Sequence, residues 1–283
     1  MIAKPLEKVL VCPPEPDQTR KMNMRFAIRT VCLIVLTLTT ISATIQIHAA
    51  DGDRSQYYEL RVYSTKSAEQ QQRVNDYWQH VAVPAYNRLG CQPVGVFTEI
   101  QDSATNKIYV FIPCDSAEAF AAIPTKLAAD TAYQAAAAEF LNAPKTNAAY
   151  ESFSTSLLVA FDGMKHLAPP PPEKKPEVFE LRTYLSPSEG KGLNKIHMFE
   201  SGEITLMKEV GLAPIFYGRT LSGPVMPSLV YMTCGENMEA HKQHWAGFNT
   251  APVWKQLLAD PQFKDNMTAA ISIMLKRTAA SQI

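Results

Sequence analysis

Two short stretches alternate between apolar and polar residues, and they are copies of one another. The first reads Tyr58-Glu59-Leu60-Arg61-Val62-Tyr63. The second, 121 positions later, reads Phe179-Glu180-Leu181-Arg182-Thr183-Tyr184. Alternation over this length predicts a β-strand. One face of each strand carries Tyr58, Leu60 and Val62, or Phe179, Leu181 and Thr183. The opposite face carries Glu59, Arg61 and Tyr63, or Glu180, Arg182 and Tyr184. The oily face is expected to meet helices, which turns the charged face away from them.

The spacing changes after the first strand. Ser67 stands three residues before Gln70 as a capping box, and Val74, Tyr77, Trp78, Val81 and Tyr86 recur at helical spacing. Pro84 should bend or break this helix, and Gly90 should end it. Two strands follow, at Val94–Glu99 and Ile108–Ile112, around a polar turn at Gln101–Lys107. Asp115 or Ser116 can cap a second helical region, which Pro124 should interrupt before an Ala-rich part at Thr125–Leu141. Phe153–Phe161 reads as a fourth strand. In the second half, Ser186 with Pro187 and Glu189 marks a helix start, and Gly211 marks its end. Strands are expected at Ala213–Leu221, Ser228–Cys234 and Thr268–Lys276, with a broken helical region at Met238–Leu258.

The 121-residue offset persists beyond the opening motif, matching Gly90 with Gly211, Pro93 with Pro214 and Tyr133 with Trp254. Such a period marks an internal repeat. Each half reads β-α-β-β-α-β, the ferredoxin-like order, which leaves one sheet face without helices. Two tandem copies can cover each other by packing bare face on bare face. The expected fold is therefore α+β, two ferredoxin-like repeats forming one barrel within the chain. The repeats are expected at 57–162 and 177–278. Between them, at 163–176, lies a proline-rich linker that favours an extended conformation.

Ahead of the first repeat, Arg25 and Arg29 precede an apolar run at Val31–Ile47, with Ala49 and Ala50 following. This order predicts a leader over residues 1–50, a signal peptide of an exported (periplasmic or secreted) protein. The alternative is an uncleaved leader that anchors the protein in a membrane. The whole chain has 27 basic and 27 acidic residues. Residues 1–50 hold six of the basic and three of the acidic ones, so the remainder has 21 and 24, a net charge of −3. That balance gives no electrostatic footprint for nucleic acid. Cys91, Cys114 and Cys234 remain after the leader, and they read as buried thiols rather than a disulfide framework.

With the repeat in place, the residues resemble a known family. Tyr-Glu-Leu-Arg-x-Tyr or its Phe variant at the head of each half, a helix closed by Gly, and Val94-Gly95-Val96 look like the NIPSNAP domain. Trp245-Ala246-Gly247-Phe248 with Pro252 and Trp254 is similar to the family's later Trp-x-x-Phe, Asp-Pro and Trp pattern, with Ala251 in place of Asp. The first half keeps Asp130, with Thr131 and Tyr133 replacing Pro and Trp. The resemblance implies a dimeric α+β barrel fold. It implies no settled catalytic residue, so the catalytic set is unknown. The leader and the tandem arrangement look bacterial.

Glu59, Arg61, Tyr63, Glu180, Arg182 and Tyr184 are the ligand-binding candidates. If the charged face lines the barrel interior, acid, guanidinium and phenol from both halves could hold a polar small molecule. The plainer reading pairs Glu59 with Arg61 and Glu180 with Arg182, because buried charges must be paired. His241 and His244 could face one metal ion, but a third ligand is missing, so they read as surface histidines and no metal is expected. Trp78, Trp245 and Trp254 read as core anchors. No phosphate loop, nucleophile elbow or His-Glu-x-x-His motif occurs, and no cofactor is expected. Two functions remain open. One is a binding module for a small molecule in the barrel, or for a protein partner or second copy. The other is a cofactor-independent oxygenase or isomerase of the kind that related barrels host.

Overall fold

The computed structural model describes residues 54–100, 106–171 and 173–283. The expected leader and most of the polar turn at 101–107 lie outside them. The first repeat contains β1 (Tyr57–Ser64), α1 (Ala68–Tyr77), α2 (Val83–Arg88), β2 (Gly95–Glu99), β3 (Lys107–Cys114), α3 (Ala117–Ala129), α4 (Thr131–Leu141) and β4 (Ser152–Ala160). The second contains β5 (Val178–Leu185), α5 (Glu189–Met198), α6 (Ile204–Glu209), β6 (Ala213–Ser222), β7 (Ser228–Gly235), α7 (Met238–Thr250), α8 (Pro252–Ala259) and β8 (Ala269–Arg277).

The eight strands close into one barrel in the order β1-β3-β2-β8-β5-β7-β6-β4. Each repeat supplies four neighbouring antiparallel strands. The seams are β2 with β8, where Thr98 faces Lys276, and β4 with β6, where Leu158 faces Thr220. Closure thus removes the free sheet edges that each repeat alone would expose. The chain end extends one seam. Thr278 and Gln282 donate backbone hydrogen bonds to the Val96 and Val94 carbonyls, and Ile283 is buried.

The barrel interior is an apolar core drawn from both repeats. Tyr58, Leu60, Phe97 and Phe111 meet Phe179, Leu181, Phe216 and Met232 there. Phe111 stacks on Phe216 across the interior at 4.2 Å between centroids. The oily faces of β1 and β5 therefore point inward, and the Glu-Arg-Tyr faces lie under the helices. This corrects the orientation expected from sequence. Joining two bare sheet faces creates a dry space that only apolar side chains fill well, whereas the helices can bring polar partners to the other face.

Other local expectations are also corrected. Pro84 does not break the helical run, which widens into a π turn at Trp78–Ala82 and resumes with Pro84 in the first turn of α2. The matching turn at Phe199–Glu203 is followed by Thr205 in place of Pro84, so proline is not its cause. Pro124 sits inside α3 at an exposed position, where the carbonyl it frees can face water, and the break comes at Asp130. Asp130 caps α4 by accepting from the Tyr133 amide at 2.8 Å. The second repeat's first helix is capped by Ser188 rather than Ser186. Ser186 is buried and donates instead to the Asn266 carbonyl at 2.8 Å. Gly90 and Gly211 do end their helices, with left-handed φ of +84° and +88°.

Candidate functional site

Because β1 and β5 occupy equivalent places, their polar faces meet equivalent helices, but the helices differ. Glu59 is buried and accepts from Arg61 Nε at 2.9 Å and from Thr155 Oγ1 at 2.8 Å. Arg61 also reaches the hydroxyls of Tyr63 at 3.4 Å and Tyr86 at 3.3 Å. Its guanidinium lies 5.7 Å from the Trp78 ring. The pairing expected on the plainer reading is therefore present.

Glu180 holds a richer set. One oxygen accepts from Arg182 at 2.7 Å and from Ser272, which occupies the place of Thr155 on the neighbouring strand. The other accepts from Trp245 Nε1 at 2.6 Å and lies 2.9 Å from His241 Nε2. A carboxylate can only accept, so His241 carries its proton on Nε2. Burial alone would raise the Glu180 carboxyl, but His241, Arg182, Ser272 and Trp245 together bring it down to about 2. Arg182 stacks over Trp245 at 4.5 Å, and the Tyr184 hydroxyl lies 2.8 Å from that of Tyr231.

A second ion pair lies beneath the same helices. Lys195 on α5 and Glu203 in the π turn bond at 2.5 Å with both side chains buried. Lys195 also sits 4.8 Å from the Phe199 ring and 5.5 Å from that of Trp254. Burial raises the Glu203 carboxyl above its ordinary range, against the pull of Lys195.

The structure thus gathers Glu59, Arg61 and Tyr63 in one helix–sheet layer and Glu180, Arg182 and Tyr184 in the other, with the barrel core between them. Sequence reasoning missed Lys195 and Glu203, and it placed His241 on the surface although it is buried. The available signal was a lysine and a glutamate on the otherwise buried face of a helical run, facing the strand that carries Glu180. The three cysteines are buried, as expected, and are free thiols in this structure.

A cleft opens on one side of the second layer. It lies between the proline-rich segment and the adjoining parts of β6 and β7, with a volume of about 790 Å³. Leu167, Ile215, Pro214 and Cys234 give it apolar walls. Burial pushes the Cys234 thiol up to about 11, which disfavours its thiolate. Lys174, Lys175, Lys208, His166 and His244 also line it, against Glu236 as the acid. The three lysines make no ion pair among the described residues. Two glycines of the lining make room for histidines of α7. A Cβ on Gly211 would lie 2.9 Å from His244 Nε2, and one on Gly235 would lie 3.0 Å from His241 Nδ1. Both histidines have a buried Nδ1 without a hydrogen-bond partner among the described residues.

The NIPSNAP family pattern matches residues 58–156 and again 179–282. The chain belongs to the NIPSNAP family. The second NIPSNAP match runs into the tail that pairs along β2. No curated protein matches the sequence. Among solved structures, the NIPSNAP barrel is similar to a protein of Fusobacterium nucleatum provisionally named a monooxygenase. That likeness has a TM-score of 0.52 at 11% identity, covering 79% of this chain and 93% of the other. A second, from Lactobacillus acidophilus and named in the same way, has a TM-score of 0.52 at 12% identity, covering 79% and 94%. An anthrone oxidase-like protein has a TM-score of 0.51 at 9% identity, covering 80% and 92%. At these identities the likeness is one of fold.

Proposed function

We propose that this NIPSNAP protein is an exported binding module whose ligand is a small amphipathic anion held in the cleft beneath the proline-rich segment. One observation carries the reading: a cavity of about 790 Å³ with apolar walls is lined by three lysines that have no ion-pair partner among the described residues. Apolar walls bind the body of a ligand and a few placed polar groups fix its head. Three lysines against one glutamate, in a chain otherwise balanced in charge, favour an anionic head such as a carboxylate or sulfonate. The barrel interior is a weaker choice because aromatic and aliphatic side chains occupy it.

The test is calorimetric titration of the full chain with dodecanoate, dodecyl alcohol and dodecyl trimethylammonium. Saturable binding of the anion is expected, weakened about tenfold or more by Lys174→Glu with Lys208→Glu and weakened by added salt. Equal binding of all three probes, or of none, overturns the reading. A second reading, an oxygenase- or isomerase-type enzyme, is favoured by His244, which lines the cleft and whose buried Nδ1 has no hydrogen-bond partner among the described residues. On that reading a molecule co-purifying from the native host changes mass or isomer on incubation in air, and His244→Ala stops the change while keeping the molecule bound.

A further inference from the structure

Cys91 follows the glycine that ends α2, and Cys114 ends β3. Their sulfur atoms lie 3.9 Å apart, and both residues are buried in the apolar layer between helices and sheet. The repeat makes this pair informative. At the equivalent positions the second repeat has Leu212 and Gly235, so neither thiol is part of the common frame. Two cysteines occur at facing positions in one repeat and at neither position in the other. The third, Cys234, belongs to the barrel core, apart from these two.

We propose that Cys91 and Cys114 are a covalent cross-linking site, forming an intrachain disulfide when the protein folds in an oxidising compartment. Closing the gap needs the sulfurs to approach by about 2 Å, toward a bond length of about 2.05 Å. Two S–H bonds break and one S–S bond forms. Two protons and two electrons pass to a disulfide oxidant, a thiol–disulfide oxidoreductase or a small-molecule disulfide, which is reduced to two thiols. In the folded layer the contact with Cys114 lowers the Cys91 thiol pKa against the effect of burial. Both sulfurs are sealed in the folded layer, so the bond forms as α2 docks on the sheet. It would tie the helix layer to β3 and enclose the hairpin of β2 and β3.

The test is non-reducing peptide mapping of the full chain refolded in a glutathione redox buffer. Trypsin cuts after Arg88, Lys107 and Lys126, so the bond joins peptide 89–107 to peptide 108–126. The expected result is that linked pair, an intact mass about 2 Da lower, and a melting temperature roughly 5–10 °C above that of the reduced form. Cys114→Ser should abolish all three, and Cys234→Ser should leave them in place. If the Cys114→Ser protein does not fold, the mapping and the reduced–oxidised melt of the natural sequence still decide. Recovery of Cys91 and Cys114 fully alkylated without prior reduction, from protein refolded in that buffer, overturns the proposal.

Discussion

The two repeats place the same Glu-x-Arg-x-Tyr face under helix layers of opposite character. In the first, Val74, Ala82, Phe120 and Pro124 stand where the second has Lys195, Glu203, His241 and Trp245. The first layer is mainly apolar and leaves Glu59 with Arg61 and Thr155. The second surrounds Glu180 with four partners and buries a further ion pair beside it. Buried ions are a weak source of stability, since well-packed apolar residues often do as well or better. The first repeat demonstrates that this frame accepts Val and Ala at two of these places. Stability alone therefore does not account for the polar layer, and the cleft lies against that layer.

The largest expected effect breaks this contrast at Lys195 and Glu203. Lys195→Met or Glu203→Ala leaves one charge buried alone, which costs about 3–5 kcal/mol. Installing the first repeat's residues together, Lys195→Val with Glu203→Ala, should cost far less or stabilise. Chemical denaturation of the two singles and the double gives the coupling directly. Losses that simply add would mean that the two side chains do not depend on each other.

The arginines come next. Arg61→Met strips Glu59 to a single partner, Thr155, so a loss of about 3–5 kcal/mol is expected. Arg182→Met leaves Glu180 with His241, Trp245 and Ser272, and the expected loss is about 1–3 kcal/mol. Thermal or urea melts of the two variants rank them. The reverse ranking would show that the extra partners of Glu180 do not share its charge.

This pair of variants also marks where the sequence was legible. The period of 121, the β-α-β-β-α-β order and the Glu–Arg pairings could all be read from it. The direction in which the charged face points could not. Alternation separates two faces of a strand without saying which layer each meets, and here both faces are covered. Partners settle it. Tyr86, Trp78, His241 and Trp245 come from helices, and their approach to β1 or β5 exists only after the chain folds. Pro124 does not break its helix, since it sits on an exposed face where the carbonyl it frees can reach water.

Acid unfolding sharpens the comparison further. The Glu180 carboxyl is brought from 4.5 to about 2, so the folded state holds its proton more weakly than the unfolded chain does. The sign follows: its contribution is complete above about 4.5 and is lost as the pH falls toward about 2. At neutral pH that contribution is roughly 3 kcal/mol. Glu203, raised by burial, titrates in the opposite sense and stabilises the folded state as the pH falls. The difference between the natural protein and Glu180→Gln isolates the first effect. That difference should shrink between about pH 5 and pH 2 in urea titrations. A constant difference across that range would mean that Glu180 does not titrate below its ordinary value.

The smallest effect separates the two helix-ending glycines. Both have left-handed φ, which an alanine adopts at a cost of about 1–2 kcal/mol. Around Gly90 a new Cβ meets nothing within 4 Å, so Gly90→Ala should cost that amount and no more. At Gly211 the same Cβ would lie 2.9 Å from His244 Nε2, inside normal contact distance. Gly211→Ala must also displace the histidine ring from the cleft wall, and its cost should exceed that of Gly90→Ala by about 1 kcal/mol. His244→Ala removes the obstacle. In that background Gly211→Ala should return to the cost seen at Gly90, because the backbone conformations are nearly the same. Equal losses for both glycines in the natural protein would place the His244 ring away from Gly211, and with it the shape of the cleft wall used in the binding proposal.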